Sequence, residues 1–178
     1  ATGTADLAIE AIRLNPEKIT GIDLSEKMLE IGRKKVTQKK LEKKIELLKG
    51  DAENLPFDSQ SFDAVIVGFG VRNFENLEKG LQEMRRVLKE GGILIILEFS
   101  NPSQFPIKQL YNFYFKTILP NIGKLVSNHQ SAYSYLPQSV LGFPDGKNMV
   151  SILQNTGFKN CCFQPQTMGI ATIYSGIK

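Results

Sequence analysis

The sequence of 178 residues has few cysteines, a single histidine and no long apolar run, and these absences exclude several protein classes. Its two cysteines, Cys161 and Cys162, are too few for a disulfide framework and favour a reducing cytoplasm. No apolar run approaches the roughly 20 residues that a membrane helix needs, and no signal peptide is recognisable. The single histidine, His129, and the cysteine pair have no metal-ligand spacing. We therefore predict a cytoplasmic protein without a metal site.

Internal repeats and linkers are also missing, and the length predicts one domain over residues 1–178. Lysine and arginine exceed aspartate and glutamate by 22 − 18 = 4, and much of the excess lies in a basic stretch, residues 33–49. This basic stretch is either a solvated helix face or a surface for an anionic membrane or a nucleic acid. No aromatic residue is interleaved with its lysines, so we predict no nucleic-acid partner.

Strand and helix patterns alternate through the first two thirds of the chain. The predicted helices are residues 6–14, 25–40, 77–88 and 147–156, and the predicted parallel strands are residues 18–23, 45–49, 62–69 and 93–99. Residues 159–164 and 170–175 predict an antiparallel hairpin at a sheet edge. The whole predicts an α/β fold with a doubly wound, mostly parallel sheet and a C-terminal hairpin. The turn at residues 1–6 has no strand before it, so we expect a first strand missing from this chain and a domain truncated at its N-terminus.

Two local patterns lead to expectations about burial. Met28, Leu29, Ile31 and Gly32 predict one apolar stripe on the second helix. The nearly unbroken apolar runs at residues 62–69 and 93–99 predict strands that are covered on both faces.

Ligands of open parallel sheets bind outside the carboxyl ends of the strands, so polar residues there are candidates for a site. The first candidate is Gly3, where the backbone can approach a ligand closely, with the Thr4 hydroxyl and the Asp6 carboxylate beside it. The dinucleotide fingerprint G-x-G-x-x-G is incomplete, because Ala1, Gly3 and Asp6 occupy its three positions. A plain strand-to-helix turn therefore remains an alternative.

Two acidic residues follow the next two strands. Asp23 lies 20 residues after Gly3, the spacing at which a carboxylate accepts from the two hydroxyls of a ribose. Its alternative role is as a partner for the helix that Ser25 begins. Asp51 can accept from an exocyclic amine while the Ala52 amide donates to a ring nitrogen, unless this segment is only a polar surface loop.

The third strand ends in two glycines followed by two polar residues, in the segment Gly68-Phe69-Gly70-Val71-Arg72-Asn73. Arg72 and Asn73 would bring a cation and an amide into the cleft. Arg72 could equally lie on the surface, but its place after an apolar strand favours the cleft.

These motifs together resemble those of a known family. The segments are residues 1–6 (ATGTAD), 21–29 (GIDLSEKML), 50–57 (GDAENLPF), 68–73 (GFGVRN), 84–92 (MRRVLKEGG) and 97–100 (LEFS). They look like class I S-adenosylmethionine-dependent methyltransferases, and more narrowly like the UbiE/MenG C-methyltransferases of menaquinone and ubiquinone synthesis. The resemblance runs along the whole chain. Family members have a further upstream segment that includes the first strand, so we expect the chain without it to bind cofactor poorly.

The resemblance implies S-adenosylmethionine as cofactor. Thr4 matches a family residue that contacts it, Asp23 matches the acid that binds the ribose, and Asp51 with Ala52 matches the pair beside the adenine. Gly68 stands where some members have a serine, so its contribution would come from the backbone.

The resemblance also implies methylation of a ring carbon of a prenylated quinol, with demethylmenaquinol preferred over the ubiquinone precursor. Arg72 and Asn73 are then candidates for stabilising a phenolate oxygen. Tyr133 and His129 lie in residues 101–146, which we expect to be an insertion that covers the substrate. A prenylated substrate also predicts peripheral contact with the inner face of the cell membrane.

Two other function classes must be weighed against this one. A nicotinamide-dependent oxidoreductase would share the sheet and Asp23, but it should have the fingerprint glycines that are missing here. A non-catalytic nucleotide-binding module would keep the fold without a complete cleft.

Overall fold

The computed structural model describes residues 1–102, 105–113 and 139–178. Within them the helices are α1 (Asp6–Ala11), α2 (Glu26–Gln38), α3 (Leu77–Val87), α4 (Ile107–Phe113) and α5 (Lys147–Asn155). The strands are β1 (Ile19–Asp23), β2 (Ile45–Lys49), β3 (Phe62–Gly68), β4 (Leu88–Phe99), β5 (Lys159–Gln166) and β6 (Ala171–Ile177). Short 3-10 turns lie at Ile12–Leu14, Val71–Asn73 and Thr167–Gly169.

The described strands form two sheets. In the first, β1 and β2 are parallel, from Ile19 opposite Ile45 to Asp23 opposite Lys49. The second has the order β3-β4-β6-β5, in which β3 and β4 are parallel and β6 is antiparallel to both of its neighbours. The predicted hairpin is confirmed, with β5 as the edge strand and β6 beside β4. The parallel βαβ units and the antiparallel hairpin together give the expected α/β fold.

The first residues of the chain lie between the two sheets. The Ala1 and Thr2 nitrogens both donate to the Ile22 carbonyl of β1, each at 2.8 Å. On the other side, a Cβ built on Gly70 would overlap the Ala1 Cβ, so this glycine allows a close approach. These contacts bring the end of β1 next to the turn that follows β3.

Two hydrophobic clusters form the core. The larger packs α3 and α5 against β3, β4 and β6; its fully buried members include Leu81, Leu94, Ile96, Met149, Leu153 and Tyr174. The smaller packs α1 and α2 against β1 and β2 around Ala5, Leu29, Val36 and Leu47. Burial on this scale is the main favourable term in folding, at about 1.5–3 kcal/mol for each large apolar side chain. No helix of the described residues is long and apolar enough to span a membrane.

Two burial predictions were wrong. On α2 the buried stripe is Leu29, Gly32 and Val36, whereas Met28 and Ile31 are 43 % and 46 % exposed. Spacings of three and four residues follow the face that meets β2, and Met28 and Ile31 lie beside that face.

The other concerns β3, which is not covered on both faces within the described residues. Val67 and its neighbour Val65 join the larger cluster, but Ile66 is 38 % exposed and Ala64 is also exposed.

The boundary between α3 and β4 also differs from the prediction. We expected the helix to reach Leu88 and the strand to begin at Ile93, but α3 ends at Val87 and β4 begins at Leu88. Phe62 pairs with Leu88 and Ala64 with Ile93, so the strand contains an irregularity over residues 89–92. Gly91 has a φ of +78° in this irregularity, a conformation that glycine adopts without strain.

Candidate active site

The glycine turn, residues 2–5, lies over the ends of β1 and β3. The Gly3 nitrogen donates to Asp23 Oδ2 at 2.7 Å, which joins the turn to the end of β1. A Cβ built on Gly68 would lie 3.2 Å from Leu7 Cδ2, so α1 packs closely on the end of β3. Three of the predicted cofactor residues, Gly3, Asp23 and Gly68, are thus brought to one edge of the fold.

Asp23 connects two backbone segments through its carboxylate. Oδ2 accepts from the Gly3 nitrogen, and Oδ1 accepts from the Ser25 nitrogen at 2.9 Å, just before α2. Asp23 therefore does serve as a partner for the start of α2, which is the alternative role. A carboxylate has about four acceptor positions, so Asp23 retains the capacity to accept from a ligand as well.

Gly3 and its neighbour Thr4 form the open side of the turn. Gly3 has a φ of +56°, and no atom lies within 4 Å of where its Cβ would be, so the backbone faces open space. The Thr4 hydroxyl donates to Asp6 Oδ2 at 2.6 Å and accepts from Lys35 Nζ at 2.9 Å. Lys35 also contacts both Asp6 oxygens, and these bonds lower the pKa of the Asp6 carboxyl. The Thr4 side chain is consequently held in one orientation.

Asp51 and Ala52 follow β2 and lie next to Asp23. The Gly50 nitrogen donates to the Asp23 carbonyl at 3.1 Å, which extends the pairing of β1 and β2 to the start of this loop. Asp51 Oδ1 accepts from the Glu53 nitrogen at 2.8 Å, a local turn, and the Ala52 side chain is buried. The carboxylate of Asp51 remains exposed at the same edge as the glycine turn.

A paired arginine and glutamate hold the rest of this loop. Arg86 Nε donates to Glu83 Oε1 at 2.7 Å, and Arg86 also donates to the carbonyls of Leu55 and Phe57. Glu83 Oε2 accepts from the Leu55 nitrogen at 2.8 Å. Because of the bonds to Arg86, the pKa of the Glu83 carboxyl lies below its usual value. The loop after β2 is therefore fastened to α3 by charge-assisted hydrogen bonds.

Arg72 lies in the turn after β3, and its side chain is only 12 % exposed. Its Nη1 donates to Glu98 Oε1 at 2.7 Å and to the Phe69 carbonyl. The guanidinium carbon lies 5.4 Å from the centre of the Phe99 ring, within cation–π range. Arg72 thus points inward at the ends of β3 and β4 and does not extend over the surface.

The remaining predicted catalytic residues divide into two groups. Asn73 belongs to the same turn as Arg72, and its nitrogen donates to the Gly70 carbonyl at 3.0 Å. Tyr133 and His129 lie outside the described residues, as does most of the predicted insertion.

Sequence reasoning assigned no role to several residues that organise the site. Glu98 is fully buried and pairs with Arg72; its signal in the sequence is a single charge within the apolar strand ILIILEF. Lys35 lies within the basic stretch, and its contact with Thr4 joins residues 31 positions apart, which no local pattern predicts. Among the described residues, no group of three potential metal ligands is present.

Comparison with known proteins identifies the family. A family model described as the ubiE/COQ5 methyltransferase family matches residues 1–178. The chain belongs to that family. It is 48 % identical to a demethylmenaquinone methyltransferase of Bacteroides fragilis, over all of this chain and 73 % of that protein. It is 44 % identical to the ubiquinone/menaquinone biosynthesis C-methyltransferase UbiE of Geotalea daltonii, over all of this chain and 76 % of that protein.

A solved structure supports the fold independently of close sequence similarity. The phosphoethanolamine N-methyltransferase 2 of Haemonchus contortus, in complex with S-adenosyl-L-methionine, superposes with a TM-score of 0.70. The match covers 99 % of this chain and 47 % of that one, with 15 % sequence identity. The methyltransferase fold expected from the sequence is confirmed.

As a member of this family, the chain is an S-adenosylmethionine-dependent C-methyltransferase, and the predicted cofactor is confirmed. The described residues fit that cofactor in their chemistry. Its ribose needs an acceptor, which the carboxylate of Asp23 offers, and its adenine needs a polar edge, which Asp51 and the Ala52 backbone offer. The open side of Gly3 leaves room for the cofactor chain beside the Thr4 hydroxyl.

Proposed function

We propose that this methyltransferase methylates a ring carbon of demethylmenaquinol to form menaquinol. The observation that carries the proposal is the 48 % identity to the Bacteroides fragilis demethylmenaquinone methyltransferase over the whole of this chain. The arrangement of Arg72 beside the end of β3 supports it, because a charged hydrogen-bond donor at this place would stabilise a phenolate oxygen of the substrate.

The cofactor roles are proposed residue by residue. Asp23 accepts from the ribose hydroxyls, Asp51 and Ala52 contact the adenine, and Gly3 and Thr4 lie beside the amino-acid portion. Gly68 contributes through its backbone, since a side chain there would meet Leu7. S-adenosylmethionine, when bound, supplies an electrophilic methyl group on a positively charged sulfur.

The substrate must be made a better nucleophile. A hydroquinone that loses a hydroxyl proton to water pushes electron density onto the neighbouring ring carbon. This carbon would gain the methyl group as the sulfur–methyl bond breaks, and would then release its own proton to water. Arg72 favours this change by donating hydrogen bonds to the oxygen, since an arginine stays protonated and stabilises the developing negative charge. Asn73, in the same turn, adds an amide donor. Alignment of the two reactants supplies a further ~7–11 kcal/mol in favourable cases.

The direct test is methylation by the purified full-length protein. It is incubated with S-adenosylmethionine and chemically reduced demethylmenaquinone in detergent, and the product is analysed by mass spectrometry for one added methyl group. We expect methylated menaquinol from the wild type and none from Arg72→Ala. The variant Asp63→Asn is the control, because it removes an exposed ion pair with Lys89 at the opposite ends of β3 and β4. A wild type that binds S-adenosylhomocysteine but leaves demethylmenaquinol unmethylated would contradict the proposal.

A second substrate is favoured by a separate observation, the 44 % identity to the UbiE protein of Geotalea daltonii, whose name includes ubiquinone. The same assay with a 2-polyprenyl-6-methoxybenzoquinol distinguishes the two. We expect the ratio kcat/KM to be higher for demethylmenaquinol. A higher ratio for the benzoquinol would assign the chain to ubiquinone synthesis.

We also propose that the basic stretch brings the enzyme to an anionic membrane surface, where a prenylated quinol resides. Its exposed lysines are Lys34, Lys39, Lys40, Lys43 and Lys49. Each contributes about 1 kcal/mol near an anionic bilayer.

We expect the chain to sediment with phosphatidylglycerol vesicles at low salt and to be released by high salt. Replacement of these five lysines by glutamine should abolish sedimentation, whereas replacement of the exposed Lys79, Lys147 and Lys159 should not. Equal behaviour of both variants would leave the stretch as a solvated helix face.

A further inference from the structure

Glu98 is an acidic residue whose side chain is buried in the protein. It lies at the end of β4, with 0 % of its surface exposed, on the same face as the fully buried Leu94 and Ile96. A buried carboxylate is costly unless it is paired and hydrogen-bonded. The contacts that satisfy Glu98 therefore indicate what it is for.

Three donors converge on the Glu98 carboxylate. Oε1 accepts from Arg72 Nη1 at 2.7 Å and from the Phe99 nitrogen at 2.9 Å, and Oε2 accepts from the Arg72 nitrogen at 3.3 Å. Two of the three come from one residue, so Glu98 holds both the backbone and the side chain of Arg72. It connects the turn after β3 to the end of β4.

The guanidinium is restrained on one side and has an unused donor on the other. Nη1 is occupied by Glu98 and the Phe69 carbonyl, and the Phe99 ring lies against the group. Arg72 Nε is buried and has no hydrogen-bond partner among residues 1–102, 105–113 and 139–178. The edge that carries Nε is one of the two-donor edges with which arginine binds oxygen anions.

We propose that Glu98 is the positioning residue for Arg72, holding it so that its Nε edge faces the reacting oxygen of the substrate. The inference rests on the proposed function, since the oxygen is that of the quinol. Glu98 does not touch the substrate; it acts by fixing the orientation of a donor that does. The opposite charges of the pair also keep the buried guanidinium compensated before the substrate binds.

The test is a double-mutant cycle of Glu98→Gln, Arg72→Lys and the double variant. Arg72→Lys keeps a positive charge that can pair with Glu98 but lacks the planar edge, so it separates the edge from the ion pair. We expect each single variant to lower kcat on demethylmenaquinol by roughly 100-fold, the loss typical of a misplaced reacting group. S-adenosylhomocysteine affinity should be unchanged, and the double variant should be no slower than either single one. Asp63→Asn again serves as the control.

A second experiment tests the orientation of Arg72 by NMR and does not depend on catalysis. In ¹⁵N-labelled protein with S-adenosylhomocysteine bound, the Arg72 Nε–H signal should shift when 1,4-naphthalenediol, the bare ring of the proposed substrate, is added. The shift should disappear in Glu98→Gln; if that variant does not fold, Glu98→Asp, which keeps the charge but shortens the side chain, replaces it.

Several results would overturn the inference. They are kcat effects that multiply in the double variant, a Glu98→Gln enzyme with wild-type kcat, or an Nε signal that the diol leaves unmoved. A wild type that fails to methylate demethylmenaquinol while its Nε signal shifts would reject the proposed function and leave the positioning of Arg72 supported. The two failures are therefore distinguishable.

Discussion

Lys35 Nζ donates to Thr4 Oγ1 at 2.9 Å and so joins the third turn of α2 to the glycine turn. The same ammonium group lies 2.6 Å from Asp6 Oδ2. Its side chain is 34 % exposed and that of Asp6 is 73 % exposed, so the ion pair is screened by water and contributes little to stability. The pair acts instead on orientation, because it holds the hydroxyl of Thr4, the residue that directly follows Gly3 in the glycine turn.

We expect Lys35→Met to weaken S-adenosylhomocysteine binding several-fold with little change in melting temperature. Exposed pairs contribute about 0.2–1 kcal/mol, and here that energy holds the Thr4 hydroxyl in place. Calorimetric titration at low and high salt measures the effect. Lys34→Met is the matched control, since it removes the same charge from the neighbouring position of α2. Equal weakening by both variants would show that only overall charge matters.

Asp23→Asn should abolish most cofactor binding and also reduce stability. The variant keeps one acceptor oxygen where the wild type uses one for Gly3 and another for Ser25, so a backbone nitrogen loses its partner. Hydrogen bonds to charged groups contribute about 1.5–3 kcal/mol, which corresponds to at least a tenfold loss in affinity. Calorimetric titration and thermal unfolding measure the two effects.

Ser25→Ala provides the control for Asp23→Asn. The Ser25 hydroxyl accepts from the Met28 nitrogen at the start of α2, and loss of such a cap costs about 1 kcal/mol. We expect this variant to lose stability but to retain cofactor affinity. If both variants lose affinity equally, the carboxylate acts only through the helix start.

Apart from the boundary between α3 and β4, the predicted strands and helices agree with the structure, because their signals are local. Residues 62–69 form the nearly unbroken apolar run that predicts β3, and Ser25 is the predicted cap of α2. The site residues at strand ends follow from the same rule, since the topology of parallel strands brings their carboxyl ends to one edge.

What the sequence could not predict depends on contacts between distant residues. The exposure of Ile66 depends on what packs against β3, and Arg72 and Glu98 are 26 residues apart and meet only because β3 and β4 are neighbours. The strand that begins at Leu88 is a similar case, because its start depends on pairing with Phe62 of β3. Periodicity describes one element at a time and contains no information on such pairings.

Stability should depend on pH through Glu83. Its pKa is lowered from an ordinary 4.5 by the hydrogen bonds from Arg86, so the folded state favours the ionised form. This contribution is present above pH 4.5 and is lost as the pH falls through the lowered pKa of the folded state.

Urea unfolding of the wild type and of Glu83→Gln measures the effect. We expect the variant to be less stable by about 1.5–3 kcal/mol at neutral pH, the range for a charged hydrogen bond, and the difference to shrink in acid. Asp63→Asn is the control, because it removes an exposed carboxylate that pairs with Lys89 and not with Arg86. A difference that stays constant with pH would contradict the assignment to Glu83.

Gly80→Ala should destabilise the protein although alanine favours a helix. A Cβ at this position of α3 would lie 2.5 Å from Phe74 Cδ2, so the ring must move. Overpacking costs about 1–3 kcal/mol and outweighs the ~1 kcal/mol by which alanine usually stabilises a helix. Because Phe74 directly follows the turn of Arg72, we also expect kcat to fall. In a Phe74→Leu background the substitution should cost less; an equal cost in both backgrounds would rule out the contact with the ring.

The pairing of β4 has a consequence for synthesis on the ribosome. One edge of β4 meets β3, which precedes it, but the other meets β6, and Phe99 pairs with Ala171, 72 residues later. Until β6 has emerged, the strand that holds Glu98 has unpaired backbone groups along one side. Such an edge is a template for pairing with other chains. We therefore expect the nascent protein to be most prone to aggregation between the translation of β4 and that of β6.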